Sequence, residues 1–197
     1  MSLWKLMTGR WGTGAGEVDD VRIDASTNTL QSIEYEHHEI HSGSHYFVCS
    51  YVDLTAGQVL DFTWLMPDSA VWTHWVWDID SEAEFNWLVY EGATATNPLD
   101  NTITPRNNNR NSNNTSGTTM KYEIQANLAA ANADTDVTSA TLLESGITGS
   151  GKKLTGSTNR ASELVLDQAS LYCLRGIATE AGYVNFCMQW YEHTDKH

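Results

Sequence analysis

Gln58–Ile79 reads QVLDFTWLMPDSAVWTHWVWDI, and its alternation decides the fold class. In the first half Leu60, Phe62, Trp64 and Met66 fall on one side of an extended chain. In the second half Val71, Trp75, Trp77 and Ile79 share a side, with Trp72, His74 and Val76 opposite. A period of two belongs to a strand with one face in a core and one in solvent. Met66-Pro-Asp-Ser69 separates the two runs with turn chemistry.

The same reading extends in both directions. Ser44–Val52 sets Tyr46, Val48 and Val52 against His45, Phe47, Cys49 and Tyr51. Glu84–Glu91, Thr118–Ala126, Leu171–Ala178 and Gly182–Glu192 continue it, the last with Val184, Phe186, Met188 and Trp190 facing inward. These runs are rich in Val, Thr, Tyr, Phe and Trp, which suit a pleated surface. Thr55-Ala-Gly57, Glu91-Gly92 and Glu180-Ala-Gly182 supply turns. Only Gln125–Ala133 has a composition fit for a helical turn or two. The expected fold is all-β, a jelly-roll-like β-sandwich.

Met1–Asp20 is set apart as a flexible amino-terminal arm carrying Trp4, Leu6 and Trp11, and residues 21–197 are read as a single domain. Asn101–Thr119 (NTITPRNNNRNSNNTSGTT) is a long loop dominated by residues that hydrogen-bond their own backbone. A stretch of that length is either functional or disordered. Five of the eight tryptophans lie between Trp64 and Trp87, as bulky core; Trp72 is the one expected at the surface.

The 197 residues carry 11 Lys plus Arg against 25 Asp plus Glu, a net charge of −14. From Ile23 to Pro105 there is no Lys or Arg at all, while thirteen acidic residues and five of the seven histidines lie there. Such a surface repels phosphate, which argues against nucleic-acid binding. Met1–Gly16 lacks the apolar core of a signal peptide, and no run of about 18 apolar residues offers a membrane span. Cys49, Cys173 and Cys187 are odd in number and irregularly spaced in apolar stretches. They read as buried free thiols, in keeping with assembly in a reducing cytoplasm.

His37, His41 and His45 share a parity and are the candidate metal ligands. On a straight strand, however, a four-residue step covers about 13 Å, too far for two of them to share one ion. A turn at Ser42-Gly43-Ser44, or symmetric subunits, would be needed to bring them together. Gly146-Ile-Thr-Gly-Ser-Gly-Lys152-Lys153 approaches the phosphate-binding loop but ends in Lys153 where a hydroxyl should hold magnesium, and no helical pattern follows. No cofactor is expected. Asp78 and Asp80 share a strand face, about 7 Å apart, and would be the pair for a glycan hydrolase; adjacent carboxylates on a solvated strand are the plainer reading. No constellation supports an enzyme.

Several segments taken together carry a resemblance: Val21–His41 (VRIDASTNTLQSIEYEHHEIH), Glu34–Phe47 (EYEHHEIHSGSHYF), Val89–Ala93 (VYEGA), Asn107–Ser116 (NNNRNSNNTS) and Gln189–Lys196 (QWYEHTDK). In this order they resemble a family of small acidic structural proteins of tailed-phage particles, encoded near the major capsid protein and including capsid decoration proteins. The likeness covers most of residues 21–197. It implies a jelly-roll-like fold, homotrimers and attachment to the major capsid protein on the outer shell of the virion, after synthesis in the bacterial cytoplasm. It carries no catalytic residue. The candidate contacts are Trp4, Leu6 and Trp11 of the arm, Trp72, and Arg106 and Arg110 of the Asn-rich loop, whose guanidinium groups pair bidentately with carboxylates. The competing expectations are a glycan-binding module of a head fibre using Trp72 or Tyr90, and a tail or connector component.

Overall fold

In the computed structural model the two halves of Gln58–Ile79 become strands of different sheets. The structure describes residues 35–68, 70–95, 99, 101–129, 135–149, 156–157 and 163–194. The arm with Trp4, Leu6 and Trp11 lies outside them. In chain order the elements are α1 (Tyr35–Ser42), β1 (His45–Leu54), β2 (Val59–Leu65), β3 (Trp72–Ser81), β4 (Phe85–Glu91), β5 (Thr94–Ala95), β6 (Asn101–Ile103) and β7 (Arg106–Asn107). Then follow β8 (Thr119–Gln125), β9 (Thr135–Asp136), β10 (Thr141–Thr148), β11 (Gly156–Ser157), β12 (Leu164–Leu166), β13 (Leu171–Ala178) and β14 (Gly182–His193).

One sheet runs β11-β3-β14-β1-β7, with β12 also on β3; the other runs β10-β4-β13-β2-β8-β6. The pairings among them are antiparallel. Take β1, β2, β3, β4, β10, the interrupted pair β11 and β12, β13 and β14 as strands one to eight. The first sheet then reads one-eight-three-six and the second two-seven-four-five, the order of a jelly roll. Because β1 to β4 alternate between the sheets, each connection crosses the sandwich edge. The insertion between the fourth and fifth strands adds β7 to the first sheet and β6 and β8 to the second.

The alternation read in the sequence marks the side that faces the other sheet, although β2 and β13 are buried on their outer sides as well. Tyr46, Val48, Val52, Trp75, Trp77, Ile79, Val184, Phe186, Met188 and Trp190 of the first sheet meet Leu60, Phe62, Trp64, Phe85, Trp87, Val89, Met120, Tyr172 and Leu174 of the second. A stack of rings joins the layers: Trp64 lies 5.5 Å from Trp75, which lies 4.3 Å from Trp190, and Tyr172 stacks on Trp64 at 5.8 Å. Stacked aromatics add about 0.5–1.5 kcal/mol per pair to their burial. Gly176 of β13 makes room for the Phe85 ring, which occupies the space a Cβ there would need.

Two expectations are corrected. Gln125–Ala133 is not alone in helical character: Leu128 and Ala129 are helical there, with residues 130–134 outside the described residues, and α1 is a helix that the alternation did not suggest. Cys49 and Cys187 are not free thiols: they face each other in the β1–β14 register and form a disulfide. Cys173 is free and buried as expected, but the cysteines no longer argue for a reducing compartment. The Asn-rich stretch, expected to be either functional or disordered, is held by the fold. Its ends form strands, and its middle is fixed by hydrogen bonds described below.

Among the described residues no helix is long and apolar enough to cross a membrane.

Candidate functional site

Helix α1 ends because Ser42 is followed by Gly43 at φ +78°. Gly43 N donates to Ile40 O at 3.1 Å and Ser44 N to Glu39 O at 3.0 Å, the paired bonds of a left-handed glycine cap. The chain then turns directly into β1. This local stop separates the three histidines proposed as ligands. His37 and His41 sit one helical turn apart on exposed positions, with their Nε2 atoms 2.8 Å apart. His45 is already in the sheet, fully buried, with Nδ1 2.8 Å from Asn108 Nδ2 and its ring stacked on Tyr191. Among the described residues no three His, Cys, Asp or Glu side chains come together as a ligand set.

The asparagines clamp this corner. Asn107, buried, donates through Nδ2 to Gly43 O at 2.7 Å and to Asn114 O at 3.3 Å. Asn114 Nδ2 donates to the same Gly43 carbonyl at 3.2 Å, and Asn109 Nδ2 reaches His41 O at 3.0 Å. Within the loop Asn109 N donates to Asn107 Oδ1 and Asn111 N to Asn109 Oδ1. The far end is held by Glu192 of β14, which accepts from the Ser116 hydroxyl, from Gly117 N at 3.0 Å and from Thr118 Oγ1 at 3.2 Å. Asparagine serves here because one side chain both donates to a carbonyl and accepts from an amide. Arg106 and Arg110 lie on the outside of this clamp, exposed, with Arg110 Nη1 donating to Asn107 O at 3.2 Å.

The outward face of the first sheet is laid out in rows by the strand register. Cys49, Cys187 and Asp78 form one row, Tyr51, Asn185 and Asp80 the next, and Asp53 stands beside Tyr183 in a third. Tyr51 is 68% and Tyr183 52% exposed, and their rings meet edge to face at 5.9 Å. Sequence reasoning missed this pair. Its signal was Tyr51 and Tyr183 on the strand faces opposite the apolar ones. Asp78 and Asp80 do share the face, both exposed. Partial burial, then the charge of Asp80, raises the Asp78 carboxyl above its ordinary range.

At the other end of this face His74 Nδ1 lies 2.7 Å from Glu163 Oε1, which also accepts from Tyr191 Oη at 2.8 Å. His74 stacks on Tyr191 at 4.5 Å and approaches His193 at 4.9 Å. Trp72, placed opposite His193 in the register, is half-buried, and so is Tyr90, packed on Cys173 and Val137. Neither is an open aromatic platform.

Gly146, Ile147 and Thr148 of the phosphate-loop-like stretch belong to β10, and residues 150–155 lie outside the described residues. Compared with protein families, with curated proteins and with solved structures, the chain matches none.

Proposed function

We propose that this protein is a structural component of a phage virion that binds the assembled capsid surface as a decoration protein. The observation that carries this reading is the outward face of the first sheet, where Tyr51 and Tyr183 stand exposed among Asp53, Asp78, Asp80 and Asn185. A broad face of aromatic and polar side chains suits adhesion better than reaction, since tyrosine covers apolar area while its hydroxyl keeps a polar partner. The resemblance of residues 21–197 to tailed-phage structural proteins supports the same reading, and so does the jelly roll.

In this account the partner is the major capsid protein, and the protein acts as a homotrimer without catalysis or cofactor. It sits on the outer shell after synthesis in the bacterial cytoplasm. Repeated copies make weak contacts add, and preferential binding to the closed shell stabilises it. Arg106 and Arg110 are exposed for pairing with carboxylates of a neighbour.

The test is co-sedimentation of the purified protein with undecorated shells, followed by thermal melting of the shells. Binding that raises the shell melting temperature, and that weakens in the Tyr51→Ala/Tyr183→Ala variant, is expected. Shells that neither bind the protein nor change stability contradict the reading.

A second reading is a glycan-binding module of a head fibre, favoured by the edge-to-face tyrosine pair. It requires glycan-array signals that vanish in the same double variant, with shell binding absent.

A further inference from the structure

We propose that His37 and His41 form a two-histidine chelate for a divalent transition-metal ion, with Cu²⁺ preferred to Zn²⁺. Residues four apart on a helix lie on one face, so the two rings start from neighbouring positions. Their Nε2 atoms converge to 2.8 Å, with ring centroids 4.7 Å apart and planes inclined by 35°. Both residues are exposed, so an ion reaches them from solvent.

The separation lets both nitrogens reach one ion: an ion about 2.1 Å from each subtends an angle of about 84° at this 2.8 Å spacing, close to the right angle between adjacent sites of a square-planar or tetragonal ion. The affinity order of divalent ions for nitrogen ligands places Cu²⁺ first.

Charge supports a cation here. The chain carries a net charge of −14 and α1 itself has no Lys or Arg, which draws cations in, although Arg110 stands on the clamp that packs against the helix end. In the ion-free protein the two nitrogens share one hydrogen bond, one ring donating and the other accepting. When both rings take the Nδ1–H form, both Nε2 lone pairs turn to the ion and water completes its coordination. His45 is no part of this site, being buried in the sheet with Nδ1 beside Asn108. The chelate clamps one turn of a helix of only eight residues, a length that holds weakly on its own.

The experiment titrates the full chain with CuCl₂, NiCl₂ and ZnCl₂ by calorimetry, alongside His37→Ala, His41→Ala and the same-helix control His38→Ala. Circular dichroism in a chelator establishes that all four are equally folded. One Cu²⁺ site is expected, with Zn²⁺ weaker, and each of the two site variants loses at least about ten-fold because the second nitrogen no longer acts at high effective concentration. His38→Ala keeps the wild-type affinity. The Cu²⁺ electron paramagnetic resonance spectrum shows coupling to two imidazole nitrogens in the wild type and fewer in either site variant. Unchanged Cu²⁺ affinity in His37→Ala or in His41→Ala, or an unchanged spectrum, overturns the proposal.

Discussion

Asp61 of β2 and Arg175 of β13 are paired in register and joined by two hydrogen bonds of 2.7 Å, Nε to Oδ1 and Nη2 to Oδ2. They point away from the tryptophan core, yet Asp61 is 0% and Arg175 3% exposed. The cover is the β5–β9 ribbon, whose Thr135 carbonyl accepts from Arg175 Nη2 at 2.9 Å. Burial works against the guanidinium charge, and the Asp61 carboxylate outweighs it, so the Arg175 pKa is raised. The neighbouring Cys173 thiol is pushed well up by burial and by Asp61.

Removing one member of this pair should be far worse than removing both. Arg175→Met leaves a buried carboxylate without its arginine and should cost about 3–5 kcal/mol in urea unfolding. Asp61→Leu combined with Arg175→Met should recover most of that loss. A single variant costing less than about 1 kcal/mol would show that the pair is not desolvated as described.

The Cys49–Cys187 bridge closes a sequence separation of 138 residues between facing strands. Cross-linking so long a loop restricts the unfolded chain, so Cys49→Ser/Cys187→Ser should lower stability by about 2–4 kcal/mol. Cys49 is exposed, so a reductant should reach the bridge and produce the same change in the native protein. Identical melting with and without reductant contradicts the bridge.

Asp78 should favour the folded state more at acid than at neutral pH. Its carboxyl is raised in the folded protein, first by burial and then by Asp80, so folding takes up protons there. The stability tied to its protonated form is present below the unfolded pKa and lost as pH rises through the folded one. Asp78→Asn should therefore be slightly more stable than wild type near pH 7. Below the ordinary carboxylate range the difference should vanish. A constant difference across that window contradicts the assignment.

Asn107→Ala should loosen the corner where α1 meets β1. It removes donors to Gly43 O and Asn114 O and the acceptor for Asn109 N. Losing buried hydrogen bonds of this kind costs about 1–3 kcal/mol. Hydrogen exchange should quicken at Asn109 and around Gly43 while β13 and β14 stay protected.

Much of the sandwich was legible because Leu60, Phe62, Trp64 and Trp75, Trp77, Ile79 alternate strictly, and that periodicity depends only on the neighbouring residues. The helix was not, because His37 and His41 have parity for a strand as well as helical spacing. The local signal was Gly43 after His41 and Ser42, a glycine cap with a histidine in the last turn. The disulfide was hidden for a different reason. Nothing near Cys49 names Cys187; only the β1–β14 register does. The Asn-rich stretch was read rightly as bonding to its own backbone, but its bonds to Gly43 and His41 depend on a tertiary neighbour. The same holds for Tyr51 and Tyr183, whose strands are adjacent only in the folded sheet.

The proposed role has the outward face of the first sheet, with Tyr51 and Tyr183, adhere to a capsid shell. A reconstruction of the native phage particle tests it most directly. Density for this jelly roll on the outer capsid, with the Tyr51–Tyr183 face against the major capsid protein, is the predicted result. A fully ordered particle without that density on its shell contradicts it.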